Sequence, residues 1–298
     1  MTHPTSNFQL PTSKRPGSSL PIPSPLHGKT IALIGAGNMG AALLGGLLAN
    51  GVPASRVLIV ESRSSVAKRI AGQYHVAVSS LDEAIRRADV VVLAVKPQDM
   101  APVLAACRSA STSGAKPLIV SIAAGLTLAS LARALGRGPL IRVMPNLPAK
   151  IGSGVSALAY GRGVSTAHRA MGRAMFGCVG DVVELPERLF DVVTAVSGSG
   201  PAYVFYFLRA LRDAAVEGGI PKPVAERLAL RTVLGSAKLL DALALDADTL
   251  IQQVASRRGT TEAALKVFDR RGLARVIRAG VAAAARRSRE LSAYLSKS

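Results

Sequence analysis

The chain has 298 residues, 49% of them hydrophobic, with a mean hydropathy of +0.32 and a formal net charge of +19. That is material for one large domain or two ordinary ones, and no apolar run reaches the roughly 18 residues that span a bilayer. Two cysteines (Cys107 and Cys178) outside any CxxC spacing and four scattered histidines argue against a disulfide framework, a zinc site and a Ser-His-Asp triad, so a borrowed cofactor suits this shortage of catalytic side chains better.

Residues 1–28 read as a disordered leader: Pro4, Pro11, Pro16, Pro21, Pro23 and Pro25 stand among serines and threonines, with no apolar segment of the kind a signal peptide carries. From Thr30 strands and helices alternate. Ile31–Ile34 is an apolar strand ending in glycine, and Met39–Ala49 is a helix closed by Asn50-Gly51. Strands follow at Arg56–Val60, Tyr74–Val78, Val90–Val95, Leu118–Ile122 and Leu140–Val143, with helices to about Gln73 and over Leu81–Ala88. Strands apolar on both faces and separated by helices specify a doubly wound parallel sheet covered on each side.

Past residue 160 the period changes. Thr166–Gly177 reads as a helix and Asp181–Leu185 as a short strand. Helices then fill the chain at Pro201–Glu217, Pro221–Leu243, Ala247–Ala255, Thr261–Arg271 and Leu273–Leu295. An apolar face at Val204, Phe207, Leu208 and Leu211 needs a partner, from this chain or from a second copy. The segment Ser256–Ser298 carries eleven Lys and Arg against three acids, and Arg271, Arg275, Arg278, Arg286 and Arg289 recur at helical spacing as one basic stripe. With few aromatics to stack bases, the stripe reads as a solvated face rather than a nucleic-acid footprint.

Gly35, Gly37 and Gly40 form GxGxxG between the first strand and its helix, the context the dinucleotide fingerprint requires. The glycines permit a tight turn, a close backbone approach to a pyrophosphate, and close helix-strand packing. The amides of Asn38 and Met39 then face the phosphates from the helix start. After the second strand, Glu61 could accept from a ribose 2′-hydroxyl, favouring NADH, whereas Ser62 and Arg63 could bind a 2′-phosphate, favouring NADPH. Ala94, Val95, Lys96 and Pro97 end the fourth strand in the crevice where cofactors lie, and Lys96 could also attract a carboxylate. Ser121–Gly125, with Ala123, and Met144–Pro148, with Asn146 as a donor to a nicotinamide carboxamide, open onto the same edge. Ser197–Tyr203 and Ser256–Thr261 are small, hydroxyl-rich loops just before helices, suited to cradle an anion or to cap.

From Lys29 to Ser296 these pieces, in this order, resemble pyrroline-5-carboxylate reductase: Ile34–Gly40, Ala94–Pro97, Ser121–Gly125, Met144–Asn146, Val196–Phe205, Asp213–Ala215 with Gly218-Gly219, Gly235–Lys238 and Gly259–Thr261. The resemblance implies NADPH-dependent reduction of the cyclic imine 1-pyrroline-5-carboxylate to L-proline, with NADH left open, in the cytoplasm and without a metal. It implies an N-terminal Rossmann-type sheet domain over residues 29–188. It also implies an all-helical C-terminal domain over 189–298 that interlocks in a homodimer or a decamer. Ser256, Gly259, Thr260 and Thr261, with Ser197, would hold the anionic substrate, and the Thr261 hydroxyl would lie near the ring nitrogen as the catalytic group. Two departures stand out. Arg257 and Arg258 replace the family's proline and first glycine, which puts an arginine where a positive φ is expected, and Leu147 replaces a threonine. They leave open a relative acting on another cyclic imino acid, or a non-catalytic member whose basic helix binds an acidic partner.

Overall fold

A computed structural model describes residues 24–112 and 117–295. Most of the expected leader, residues 1–23, lies outside the described residues. Its last residues are ordered: Ser24–Leu26 forms a 3-10 turn, and Leu26 is buried in the core.

An eight-stranded sheet runs in the order β3-β2-β1-β4-β5-β6-β7-β8. Its strands are β1 (Ile31–Ile34), β2 (Val57–Val60), β3 (Ala77–Val78), β4 (Val90–Leu93), β5 (Leu118–Ser121), β6 (Leu140–Met144), β7 (Gly154–Tyr160) and β8 (Gly180–Glu184). Pairing is parallel throughout except between β6 and β7. The helices among them are α1 (Asn38–Ala49), α2 (Ser64–Tyr74), α3 (Leu81–Arg87), α4 (Met100–Thr112), α5 (Leu128–Leu135) and α6 (Thr166–Gly177). The central strands are buried on both faces and carry one apolar cluster on each side of the sheet, as their largely apolar sequences require. The chain reverses strand order between β1 and β4, so their carboxyl ends open the crevice that binds ligands in such sheets.

Besides the helices α4 and α5, which the sequence reading did not name, three elements differ from it. β7 was not anticipated, because Gly154-Val155-Ser156-Ala157-Leu158-Ala159-Tyr160 is built of small residues whose apolar signal is weak. The third strand shrinks to two residues, since α2 runs on to Tyr74 and ends on His75 in the left-handed region. The Ser197–Tyr203 segment is helical rather than a loop. A short α7 (Phe190–Val193) passes through a π turn, Thr194–Gly198, and continues as α8 (Gly200–Glu217).

The C-terminal part continues with α9 (Lys222–Leu243), α10 (Ala247–Val254), α11 (Thr260–Arg271) and α12 (Leu273–Leu295). The described residues divide into two compact units, a sheet unit of 24–201 with 278–295 and a helical unit of 202–277. Within the sheet unit, the end of α12 is anchored by Ser288, whose hydroxyl donates to Asp191 at 2.7 Å, and by Leu295 against the turn at Gly125. In the helical unit, only Ala225 and Ala229 are buried among the described residues. The apolar face of α8 stays open: Tyr203, Val204, Phe205, Tyr206 and Phe207 are between 40% and 66% exposed. The expected basic stripe is interrupted, because Gly272 adopts φ +70 and ends α11, so Arg271 is not continuous with Arg275, Arg278, Arg286 and Arg289 on α12. Among the described residues, no helix is long and apolar enough to cross a membrane.

Candidate active site

The glycine loop joins β1 to α1 at the crevice. Gly35 holds φ +99 against Ala94 at the end of β4, where a methyl group would lie 2.8 Å from the Ala94 carbonyl carbon. At Gly40 a methyl group would collide with the Gly35 carbonyl, so this glycine lets α1 pack onto the loop. Gly37 faces open space, and as the N-cap of α1 it has no side chain to satisfy the first amides of the helix. An uncapped helix start with an open approach is a site for a phosphate group.

Glu61 ends β2 with its side chain only 4% exposed. One carboxylate oxygen accepts from the Ala36 amide at 3.0 Å and from Arg63 Nη2 at 2.9 Å. The other accepts from the Arg63 amide at 3.1 Å and from Arg63 Nε at 2.8 Å. These bonds, the Arg63 side chain foremost, outweigh the desolvation of the buried carboxyl and hold its pKa down at about 2 from an ordinary 4.5. Arg63 itself is 60% exposed and begins α2, a second helix without a side-chain cap.

These residues line one cleft of about 1180 Å³, together with Asn38, Ser62, Arg69, Ala94, Val95, Lys96 and Lys150. Of the expected cofactor residues, Gly35, Gly37, Asn38, Ser62, Arg63, Ala94, Val95 and Lys96 therefore come together. Met39, Gly40, Pro97, Ala123 and Asn146 do not line the cleft. Gly40 acts through packing, and Pro97 starts the 3-10 turn Pro97–Asp99 just beyond Lys96. Ala123 is buried. Asn146 is buried as well, and its side-chain oxygen accepts from the Val155 amide at 2.9 Å, tying the end of β6 to the start of β7. Two cations of the cleft, among other lining residues, escaped the sequence reading. Arg69 lies five residues into α2, and Lys150 belongs to the 3-10 turn Leu147–Ile151. Leu147 opens that turn partly exposed, and nothing in the structure explains the leucine there.

Ser197 lies in the π turn, where its hydroxyl donates to the Val193 carbonyl at 2.9 Å. A methyl group on Gly198 would approach Met144 Cε at 2.7 Å, so this turn packs on the end of β6. Such π turns recur at functional sites. His168 and His75 serve local structure: His168 Nδ1 accepts from the Ser165 amide in the capping box of α6, and His75 terminates α2. Burial pushes the Cys107 thiol up to about 12 and the Cys178 thiol up to about 11, so neither is a thiolate nucleophile.

In the helical unit, Ser256–Gly259 makes the turn into α11. The Gly259 amide donates to the Ser256 carbonyl at 3.0 Å, and a methyl group on Gly259 would collide with the Ser256 hydroxyl. Arg258 occupies the left-handed region at φ 59, the strained conformation expected where a glycine would sit more easily. Its amide donates to the Glu262 carboxylate, which also pairs with Lys266 at 2.6 Å. Those bonds, Lys266 first, hold the Glu262 carboxyl below its ordinary range. The N-cap of α11 is Gly259 and no side-chain hydrogen bond caps the helix, which opens with Thr260 and Thr261. The expected alternative, a routine Ser or Thr cap, is not what is found here.

Residues 187–291 match the family model for pyrroline-5-carboxylate reductase dimerisation, and residues 30–125 match that for coenzyme F420-dependent NADP oxidoreductases. The pyrroline-5-carboxylate reductase of Pseudomonas aeruginosa is 42% identical over 268 residues, covering 89% of this chain and 97% of that protein. The Escherichia coli enzyme is 39% identical over 274 residues, covering 91% and 99%. A pyrroline-5-carboxylate reductase structure from Coxiella burnetii superposes with a TM-score of 0.84 at 32% identity, covering 89% of this chain and 98% of that one. A Plasmodium falciparum pyrroline carboxylate reductase, solved with NADP bound, gives 0.78 at 26% identity, with the same coverage of 89% and 98%. With a nicotinamide-type glycine loop at one end, a dimerisation region at the other and relatives matched along nearly their whole length, the chain is an oxidoreductase and belongs to the pyrroline-5-carboxylate reductase family.

Proposed function

We propose that this chain reduces 1-pyrroline-5-carboxylate to L-proline with NADPH, as the last step of proline biosynthesis in the cytoplasm. The observation that carries the reading is the uncapped start of α1 at Gly37, open onto a cleft that also holds Arg63. We assign cofactor binding to residues 29–188, and dimerisation and substrate binding to 189–298, assembled as a homodimer or a decamer.

The chemistry that the cofactor supplies when bound is a hydride for the imine carbon. The amides of Gly37, Asn38 and Met39 hold the pyrophosphate. Glu61 is a weak ribose acceptor because four N–H groups already occupy its roughly four lone-pair positions, whereas Arg63 stands exposed beside Ser62. That balance favours a 2′-phosphate, hence NADPH, with NADH as the poorer donor. Ser256 and the uncapped turn Gly259–Thr261 hold the substrate carboxylate, assisted by Ser197. The Thr261 hydroxyl lies at the ring nitrogen, where it hydrogen-bonds the nitrogen and relays to it a proton drawn from water. A protonated imine is already electrophilic, so orientation and exclusion of water supply most of the acceleration, and no histidine is required.

Turnover followed at the nicotinamide absorbance tests this. The wild type oxidises NADPH with 1-pyrroline-5-carboxylate, and Thr261→Ala loses about 100-fold in kcat, the scale of one acid-base group, at unchanged NADPH affinity. Turnover only with a six-membered imine would select the relative acting on another imino acid. Failure to bind either dinucleotide would select the non-catalytic member.

A further inference from the structure

The cleft offers a pyrophosphate amides from the glycine loop, but Gly35-Ala36-Gly37-Asn38-Met39-Gly40 contains no cation. A cation arrives from elsewhere in the fold. Lys150 is 112 positions from Asn38, yet its Nζ donates to Asn38 Oδ1 at 3.3 Å. Asn38 is the first residue of α1, so the ammonium is held at the uncapped start of that helix, and Lys150 and Asn38 line the same cleft.

Its placement is built into the sheet. The 3-10 turn Leu147–Ile151 leaves β6 and packs against α1, with Ala149 buried in the core as its anchor. A methyl group on Gly154 would lie 2.9 Å from Ala149, so the turn is wedged between α1 and the start of β7. Lys150 itself is exposed, and it donates to a neutral amide oxygen. A neutral acceptor is a weak partner for an ammonium, and exchanging it for a phosphate oxygen gains a charge-assisted bond.

We infer that Lys150 is a cofactor-binding residue, moving from Asn38 to the pyrophosphate of the bound dinucleotide and neutralising charge that the glycine loop meets only with backbone dipoles. This rests on the dinucleotide reading of the cleft. Arg63 and Lys150 thereby serve different parts of the cofactor. Arg63, beside Ser62, meets the 2′-phosphate that only NADPH carries, while Lys150 meets the pyrophosphate common to NADPH and NADH.

Equilibrium dissociation constants, from nicotinamide fluorescence at low and high salt, test the assignment without turnover. Lys150→Met weakens NADPH and NADH by the same factor, about tenfold at low ionic strength, as expected for loss of one charge-assisted bond. The factor shrinks toward unity in about 1 M salt, where screening shortens to a few ångströms. Lys150→Arg retains most of the affinity, which separates a charge effect from a disturbed turn. An unchanged affinity in Lys150→Met, a loss confined to NADPH, or a loss that salt does not diminish would overturn the inference while leaving the function intact. Failure of the wild-type chain to bind either dinucleotide would overturn both.

Discussion

At the scale of single residues, the proposed preference for NADPH rests on Glu61 and Arg63. Glu61 and Arg63 are two positions apart, and either could have dominated on sequence alone. In the structure Arg63 pairs with Glu61 through two side-chain bonds, and the Ala36 amide fixes the carboxylate beside the glycine loop. Arg63→Ala removes the exposed guanidinium and frees the carboxylate. KM for NADPH then rises about tenfold, the loss of one charge-assisted bond to phosphate, while KM for NADH stays within about twofold. Parallel steady-state titrations with both donors read this out, and equal losses for the two would place Arg63 elsewhere. Arg258 shows the opposite case, a strain that was legible beforehand. The glycine pattern of the family loop asks for a positive φ, and the arginine here takes it at 59°. Lys150 was not legible, because its proximity to Asn38 depends on β6 lying two strands from β4 and its following turn lying on α1.

At the scale of elements, the strands buried on both faces announced themselves, since β1, β2 and β4 are continuous apolar runs, β5 is apolar up to its last residue, Ser121, and β6 is interrupted only by Arg142. β7 escaped because small residues fill it, and the π turn at Thr194–Gly198 escaped because glycine and serine read as loop. β7 pairs with β6 alongside Arg142, whose side chain is 6% exposed. Its guanidinium donates to Glu187 at 2.8 Å and stacks 4.9 Å from the Phe190 ring centroid, while Glu187 also accepts from the Leu128 amide at 2.7 Å. One ion pair thus ties β6, α5 and the entry to α7. Arg142→Met leaves the partly buried Glu187 without its cation and costs about 3 kcal/mol of unfolding free energy. Urea unfolding measures this, and a loss below about 1 kcal/mol would show that the pair is not the tie described here.

For the molecule as a whole, the helical unit has scarcely any core within one chain, and its open apolar faces coincide with the region matched to the dimerisation model. A second copy is what such faces require, since exposed contiguous apolar surface of this kind marks an interface. Phe205, 59% exposed on α8, is a direct probe. Phe205→Asp shifts the sedimenting species toward the 30.8 kDa monomer, whereas the wild type sediments as a dimer or larger. A variant that sediments like the wild type would place the interface on another face. The need for a partner was legible in the α8 pattern, but the partner was not, because periodicity marks a buried face without naming what buries it.

The most direct test of the account follows the hydride itself. Purified protein is given 1-pyrroline-5-carboxylate and NADPH carrying deuterium at both positions of nicotinamide C4, and the product is read by mass spectrometry and NMR. The account predicts L-proline with a single deuterium on its δ carbon. Unlabelled proline, or no proline from a protein that binds the cofactor, would contradict it.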